Sequence, residues 1–221
     1  MLDTIEDRLR RHKDWLNERD GGERLVVRGS ELADQLGARD LASEDLRRAD
    51  FEGADLREFD FGSANLSGAN LVGADLRGSN LEHATLDGAD LRGADLRGAE
   101  LFEIFATGAK LGGIQTSHAV PRVAGLDEQI LELVQADLRA LDMGSWHSCS
   151  TTHCLAGWAV TLAGPAGRQL ELSIGAQTAG ALIYAKSTGA IPDFYADDAD
   201  AIADLEERVE AAAQLFAQPD I

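Results

Sequence analysis

The residues best equipped for chemistry sit in one stretch, Trp146-His147-Ser148-Cys149-Ser150-Thr151-Thr152-His153-Cys154. It gathers both cysteines of the chain and two of its five histidines. Four readings compete. In the first the segment is structural: Thr151 or Thr152 caps a helix, Cys154 and Trp158 share its buried face, and Gly157 lets a second helix approach. Cysteine often serves as a small buried hydrophobe, and this reading is favoured. In the second, His147, Cys149, His153 and Cys154 supply the four ligands that zinc requires. The order H-x-C-x3-H-C differs from paired C-x2-C knuckles, however, and adjacent His153 and Cys154 reach one tetrahedral ion with difficulty. In the third, a cysteine beside histidine near a helix N-terminus is an activated thiol, although no acid is placed to orient the histidine. The fourth is a Cys149–Cys154 disulfide, which a reducing cytosol disfavours. No P-loop, dinucleotide fingerprint or HExxH motif accompanies the segment, and no cofactor is implied.

The elements that position these residues follow from the patterning around them. Leu126, Ile130, Leu133, Val134, Leu138 and Leu141 mark one helix. A second starts near Thr152 and ends at Gly164-Pro165; a third follows Pro165 and stops at Gly175; a fourth covers about Gln177 to Lys186. The last runs from Asp198 to about Gln218, with acids in its first turn, where they suit the helix dipole. Asp193, Asp197, Asp198 and Asp200 lack the order of an EF-hand loop and are read as the start of that helix. Its stripe of Ile202, Leu205, Val209, Ala212 and Phe216 is either packed on its own domain or a homodimer seam.

Upstream the periodicity changes to five. A large apolar residue recurs at Leu46, Phe51, Leu56, Phe61, Leu66 and onward to Leu101, lapses at Ala106 and returns at Leu111. Two residues before it stands a small residue in most units; two residues after it stands glycine at nine positions from Gly53 to Gly113. Five residues turn an α-helix about 500°, so these leucines would scatter rather than form a face. A short extended segment followed by a corner fits instead: residues two apart point the same way in extended chain, and glycine relieves the corner.

The run Ala64-Asn65-Leu66-Ser67-Gly68-Ala69-Asn70-Leu71-Val72-Gly73-Ala74-Asp75-Leu76 resembles the pentapeptide-repeat family, with its A-(D/N)-L-x-x unit. The resemblance covers about a third of the chain. It implies a right-handed quadrilateral β-helix with four pentads per coil, and departures at Phe59, Ile104 and Ala106 imply that the winding weakens near Ile104. The expected fold is therefore α+β, with a capping helix in residues 1–23, a β-helix in 24–117 (regular from about 46) and a small all-α domain in 118–221. Residues 3–19 carry the capping helix: Asp3 and Glu6 have capping-box spacing, and Ile5, Leu9, His12 and Leu16 form one stripe ended by Gly21-Gly22. Residues 24–45 are either weak pentads (Leu36, Leu41) or a short helix from Ser30. A block similar to that around Cys154 also follows pentapeptide repeats in some bacterial proteins, and it implies no mechanism.

Four faces give a twenty-residue coil, so residues twenty apart should stack. Arg57, Arg77 and Arg97 then form an outward column beside Asp55, Asp75 and Asp95. These columns either neutralise each other on a solvated face or form an interaction strip.

Net charge is −19. Residues 1–45 carry 12 acids and 8 bases, residues 46–120 carry 12 and 7, and residues 121–221 carry 15 and 5. Such a surface repels phosphate, which argues against direct nucleic-acid binding. The N-terminus has neither the basic start nor the apolar core of a signal peptide, and no stretch suits a bilayer, so a cytoplasmic location is expected. The leading reading is a non-catalytic protein-interaction or scaffolding module. Family resemblance adds a second, binding to a type II topoisomerase by mimicry of DNA. Against it, the repeat is only −5 and displays arginines. Its three and a half coils would also span about 17 Å, or about five base pairs.

Overall fold

The computed structural model describes residues 4–32, 40–137, 140–143, 154–194 and 196–217. Helix α1 (Ile5–Leu16) leads into a long coil, followed by α2 (Leu126–Ala136), α3 (Leu155–Leu162), α4 (Gly164–Ile174), α5 (Ala176–Thr188) and α6 (Asp198–Ala217). Among the described residues no helix is long and apolar enough to cross a membrane.

Parallel bridges join residues twenty apart: Asp40 to Asp60, Asp45 to Asn65, Asp50 to Asn70, and so on to Asp90 and Lys110. The paired segments β1 (Asp95–Leu96) and β2 (Gln115–Thr116) continue the same register. Most units close a turn in which the residue two before the next large one donates to the preceding large one, as Ala69 N–H does to Leu66 O at 2.9 Å. The residue before it has positive φ, 66° at Gly68 and 65° at Gly73. This is the signature of a type II turn, which wants glycine at its third position. Six units accept the left-handed conformation without glycine: Ser43, Arg48, Glu58, Ser63, His83 and Glu103. Four such turns complete a coil. The large residues from Leu46 to Leu91 fill its axis, each at most 1% exposed.

The departures from the pentad resolve differently from expectation. Phe59 stays inside, 6.0 Å from the Phe61 ring and stacked on it. The winding does not weaken at Ile104: Phe105 still pairs with Thr85 and Lys110 with Asp90. Between 24 and 32 the chain is neither regular pentad nor helix. Leu25 and Val27 are buried, and Val26 and Gly29 bridge to Asp50 and Ala54 as a partial coil. Leu41 begins the regular stack, whereas Leu36 lies outside the described residues.

Helix α1 closes the first end. Thr4 is its N-cap, accepting from Asp7 N–H at 3.2 Å, whereas Asp3 of the expected pair Asp3 and Glu6 lies outside the described residues. Its inner face buries Ile5 and His12. His12 Nδ1 accepts the Leu25 N–H at 3.0 Å, and its ring stacks on Trp15. Arg48 from the first regular coil lies over Trp15.

The helical region closes the other end. His83 N–H donates to Phe102 O and Gly88 N–H to Thr107 O, one coil on. Twenty residues later no coil follows, and helical-region carbonyls substitute: Glu103 N–H donates to Ile174 O and Gly108 N–H to Ile191 O, both at 3.3 Å. Thr178 of α5, fully buried, enters the turn at the irregular unit. Its hydroxyl donates to Leu101 O at 2.9 Å and accepts the Ile104 N–H at 3.0 Å. Within the helical region, α5 crosses α3 closely at Gly180, where a Cβ would lie 2.4 Å from that of Ala156. The first part of the α6 stripe packs on the helical region: Leu205 is fully buried, Ile202 and Val209 pack against the core, and Arg208 reaches Asp127 of α2 at 3.1 Å.

Two expectations follow for these end closures. Thr178→Val leaves the Leu101 carbonyl and the Ile104 amide without their bridge, and should cost about 1–3 kcal/mol in urea unfolding. His12 is held neutral because burial lowers its pKa, only partly opposed by Asp45. Its contribution is thus complete above the unfolded value of about 6.5 and is lost as pH falls below it, by up to about 1.4 kcal/mol per unit. Thermal unfolding between pH 8 and pH 5 should show this loss, and His12→Asn, which keeps an acceptor for Leu25, should remove it.

Candidate functional site

The most regular feature on the outside of the coil is the pairing of Asp and Arg within a unit. In Asp55-Leu56-Arg57 the leucine points inward and the flanking residues outward, as extended chain requires. Asp55 Oδ1 accepts the Arg57 backbone N–H at 3.3 Å and its Nε at 2.8 Å, while Arg57 Nη2 donates to Oδ2 at 2.6 Å. The aspartate therefore fixes the corner and holds the guanidinium in a two-pronged fork. Asp75–Arg77 and Asp95–Arg97 repeat the geometry. The forks also touch along the coil axis: Arg57 Nε lies 3.7 Å from Asp75 Oδ2, and Arg77 Nε the same distance from Asp95 Oδ2. The six residues anticipated as two columns thus form one ladder of alternating sign.

The electrostatics follow from that contact. The hydrogen-bonded Arg97 holds Asp95 at a pKa of about 2, and Arg77 lowers Asp75 in the same way. The arginines remain about half exposed, at 50%, 45% and 52%, so their outer edges still meet solvent. Beside them runs a shallow groove of about 390 Å³, bordered by Glu58, Gly78 and Gly98. Sequence reasoning missed two further forks, Asp45–Arg47 and Asp90–Arg92. The readable signal was the tripeptide Asp-Leu-Arg, which occurs at all five places.

Of the Cys/His segment only Cys154 falls within the described residues; His147, Cys149, Thr151, Thr152 and His153 lie outside them. Cys154 itself is the N-cap of α3, its Sγ accepting the Gly157 N–H at 3.4 Å. It is 1% exposed, and burial pushes its thiol pKa up. That environment opposes an activated nucleophile, which needs a lowered pKa and access, and the thiol reading is corrected accordingly at Cys154. Trp158 shares the buried face as expected, its indole donating to Ala140 O at 2.8 Å. At the other acidic cluster, Asp197 caps α6 by accepting from Ala199 and Asp200 N–H, and Asp198 accepts from Met143 N–H at 2.8 Å. Iodoacetamide should leave Cys154 unmodified in the folded protein and label it on unfolding in urea, as mass spectrometry of the Cys154 peptide will show.

Comparison with known proteins bears on the coil alone. The family description "Pentapeptide repeats" matches residues 45–82 and 77–113, in eight copies. No curated protein sequence matches the chain. Among solved structures, the pentapeptide repeat protein Rfr23 from the cyanobacterium Cyanothece 51142 is 41% identical over 35% of this chain and 53% of its own, with a TM-score of 0.35. A pentapeptide repeat protein from the Arabidopsis thaliana thylakoid lumen is 28% identical over 42% of this chain and 71% of its own, with a TM-score of 0.31. QnrB1, a plasmid-mediated fluoroquinolone resistance protein, is 18% identical over 35% and 55%, with a TM-score of 0.20. The chain thus spans about half the length of the cyanobacterial protein. With the unit written into the sequence and a twenty-residue parallel coil built from it, residues 45–113 are a run of pentapeptide repeats.

Proposed function

We propose that the chain is a non-catalytic protein-interaction or scaffolding module, divided into a capping helix (1–23), a right-handed four-sided coil (24–117) and a helical domain (118–221). The observation that carries this reading is the ladder of Asp55–Arg57, Asp75–Arg77 and Asp95–Arg97, repeated at the coil spacing on one face. A partner strand or helix with alternating charge would meet guanidinium edges at about 4.8 Å intervals on a backbone that cannot reorganise. Preorganised arginines lose little entropy on binding, which favours them as contact residues.

Mimicry of DNA at a type II topoisomerase is the weaker reading. A phosphate mimic needs uncompensated acid along its faces, and here the aspartates of the ladder are forked by arginine.

The test is affinity capture from the native cell with the full chain and with Arg77→Glu. Deleting the helical region would be a poor substitute, since it strips Ile174, Thr178 and Ile191 from the last coil. Arg77 is exposed, so folding should persist and captured partners should fall at least tenfold. Equal capture by both proteins would remove the ladder from the interface.

A further inference from the structure

A cavity of about 520 Å³ lies where the last coil meets α5. It is independent of the ladder reading, although Arg97 borders both. Its size falls within the range of small-molecule sites. Its composition is opposite to that of the chain. With acids outnumbering bases 39 to 20 overall, no Asp or Glu is among its described lining residues, while Arg97, His118 and Lys186 are. Leu111, Val120, Leu182 and Ala185 supply an apolar wall, and the uncharged polar residues Gln115 and Thr116 complete the lining.

The backbone adds donors. One coil below, Leu91 N–H donates to Lys110 O and Gly93 N–H to Gly112 O, both at 2.9 Å. By the same register the N–H groups of Leu111 and Gly113 would donate to a further coil, which does not follow. Among the described residues neither finds an acceptor, and both residues line the cavity. Lys186 Nζ donates to Val120 O at 2.6 Å, which fixes the ammonium at the rim and leaves two of its three protons for another acceptor. Arg97 is already compensated by Asp95. One net positive charge therefore remains, beside two backbone donors and an apolar wall.

We propose that this cavity binds a single carboxylate carried on an apolar body, its oxygens received by Lys186 and the N–H groups of Leu111 and Gly113. Either a free aliphatic acid or the C-terminal residue of a peptide presents this chemistry. The site takes a monoanion rather than a phosphate dianion, because only one charge is uncompensated.

Calorimetric titration of the full chain tests it with four probes: octanoate, octanamide, and acetyl-Ala-Ala-Leu as free acid and as amide. At least one acid should bind with one site per chain, and its amide at least tenfold more weakly. Tighter binding of octanoate assigns the site to small acids; tighter binding of the peptide acid assigns it to chain termini. Lys186→Gln should weaken the acid at least tenfold, Lys186→Arg should retain it, and Ala185→Leu should weaken it by filling the wall, with melting temperatures checked for all three. The proposal is overturned if neither acid binds, if acid and amide bind alike, or if Lys186→Gln binds the acid as the parent does. Should Lys186→Gln not fold, Ala185→Leu and the acid-to-amide ratio decide it alone.

Discussion

A coil made of stacked turns satisfies its own backbone everywhere except at its two ends. Inside the stack, each turn gives N–H groups to the turn after it and to the turn before it. At an end those groups and the apolar axis would face water together, a cost of the order of a lost hydrogen bond for each buried group left unpaired. Repeat proteins in general need terminal caps for this reason. Much of the remaining chain is arranged around that constraint. A helix with a buried histidine shuts one end, and the helical region shuts the other with two main-chain carbonyls and a threonine hydroxyl.

What was legible in the sequence was what depends on local repetition. Leu46 to Leu101 are readable because each unit sees the same environment as the one before it, and the helix boundaries at Gly164-Pro165 and Gly175 are readable because those residues punctuate any chain. The end closures were not legible. Thr178 acts on Ile104 from 74 residues away, and nothing near Ile104 announces it. A break in the pentad therefore read as weakness, when it marks the place where another element enters the turn. The cap on α3 escaped for a different reason. Two threonines with the usual capping chemistry lie just upstream, whereas the residue in the cap position is Cys154, whose sulfur is a weak acceptor.

The ladder shows how little the bare charge count conveys. The repeat region is acidic by five, yet its most regular face alternates in sign, because each Asp-Leu-Arg unit places both charges on the same side of an inward leucine. The aspartate holds both its own corner and the arginine, the guanidinium contacts being the shorter at 2.8 and 2.6 Å against 3.3 Å to the main chain of Arg57. Exposed ion pairs of this kind contribute little to stability. The arrangement is better understood as order than as strength: the guanidinium groups are held at the coil spacing by their own aspartates.

The junction between coil and helices has a different character from either part. The coil ends on a flat edge with donors at fixed spacing, and the helices bring bulky side chains that cannot match that edge everywhere. Where they match, as at Glu103, Gly108 and Ile104, the seam is closed by hydrogen bonds. Where they do not, at Leu111 and Gly113, a cavity remains that both residues line. An imperfect cap on a regular edge thus leaves a recess bordered by main-chain donors that have no acceptor among the described residues. In an acidic chain, retaining Lys186, His118 and Arg97 around that recess while lining it with no acid gives it a sign that the rest of the helical region lacks.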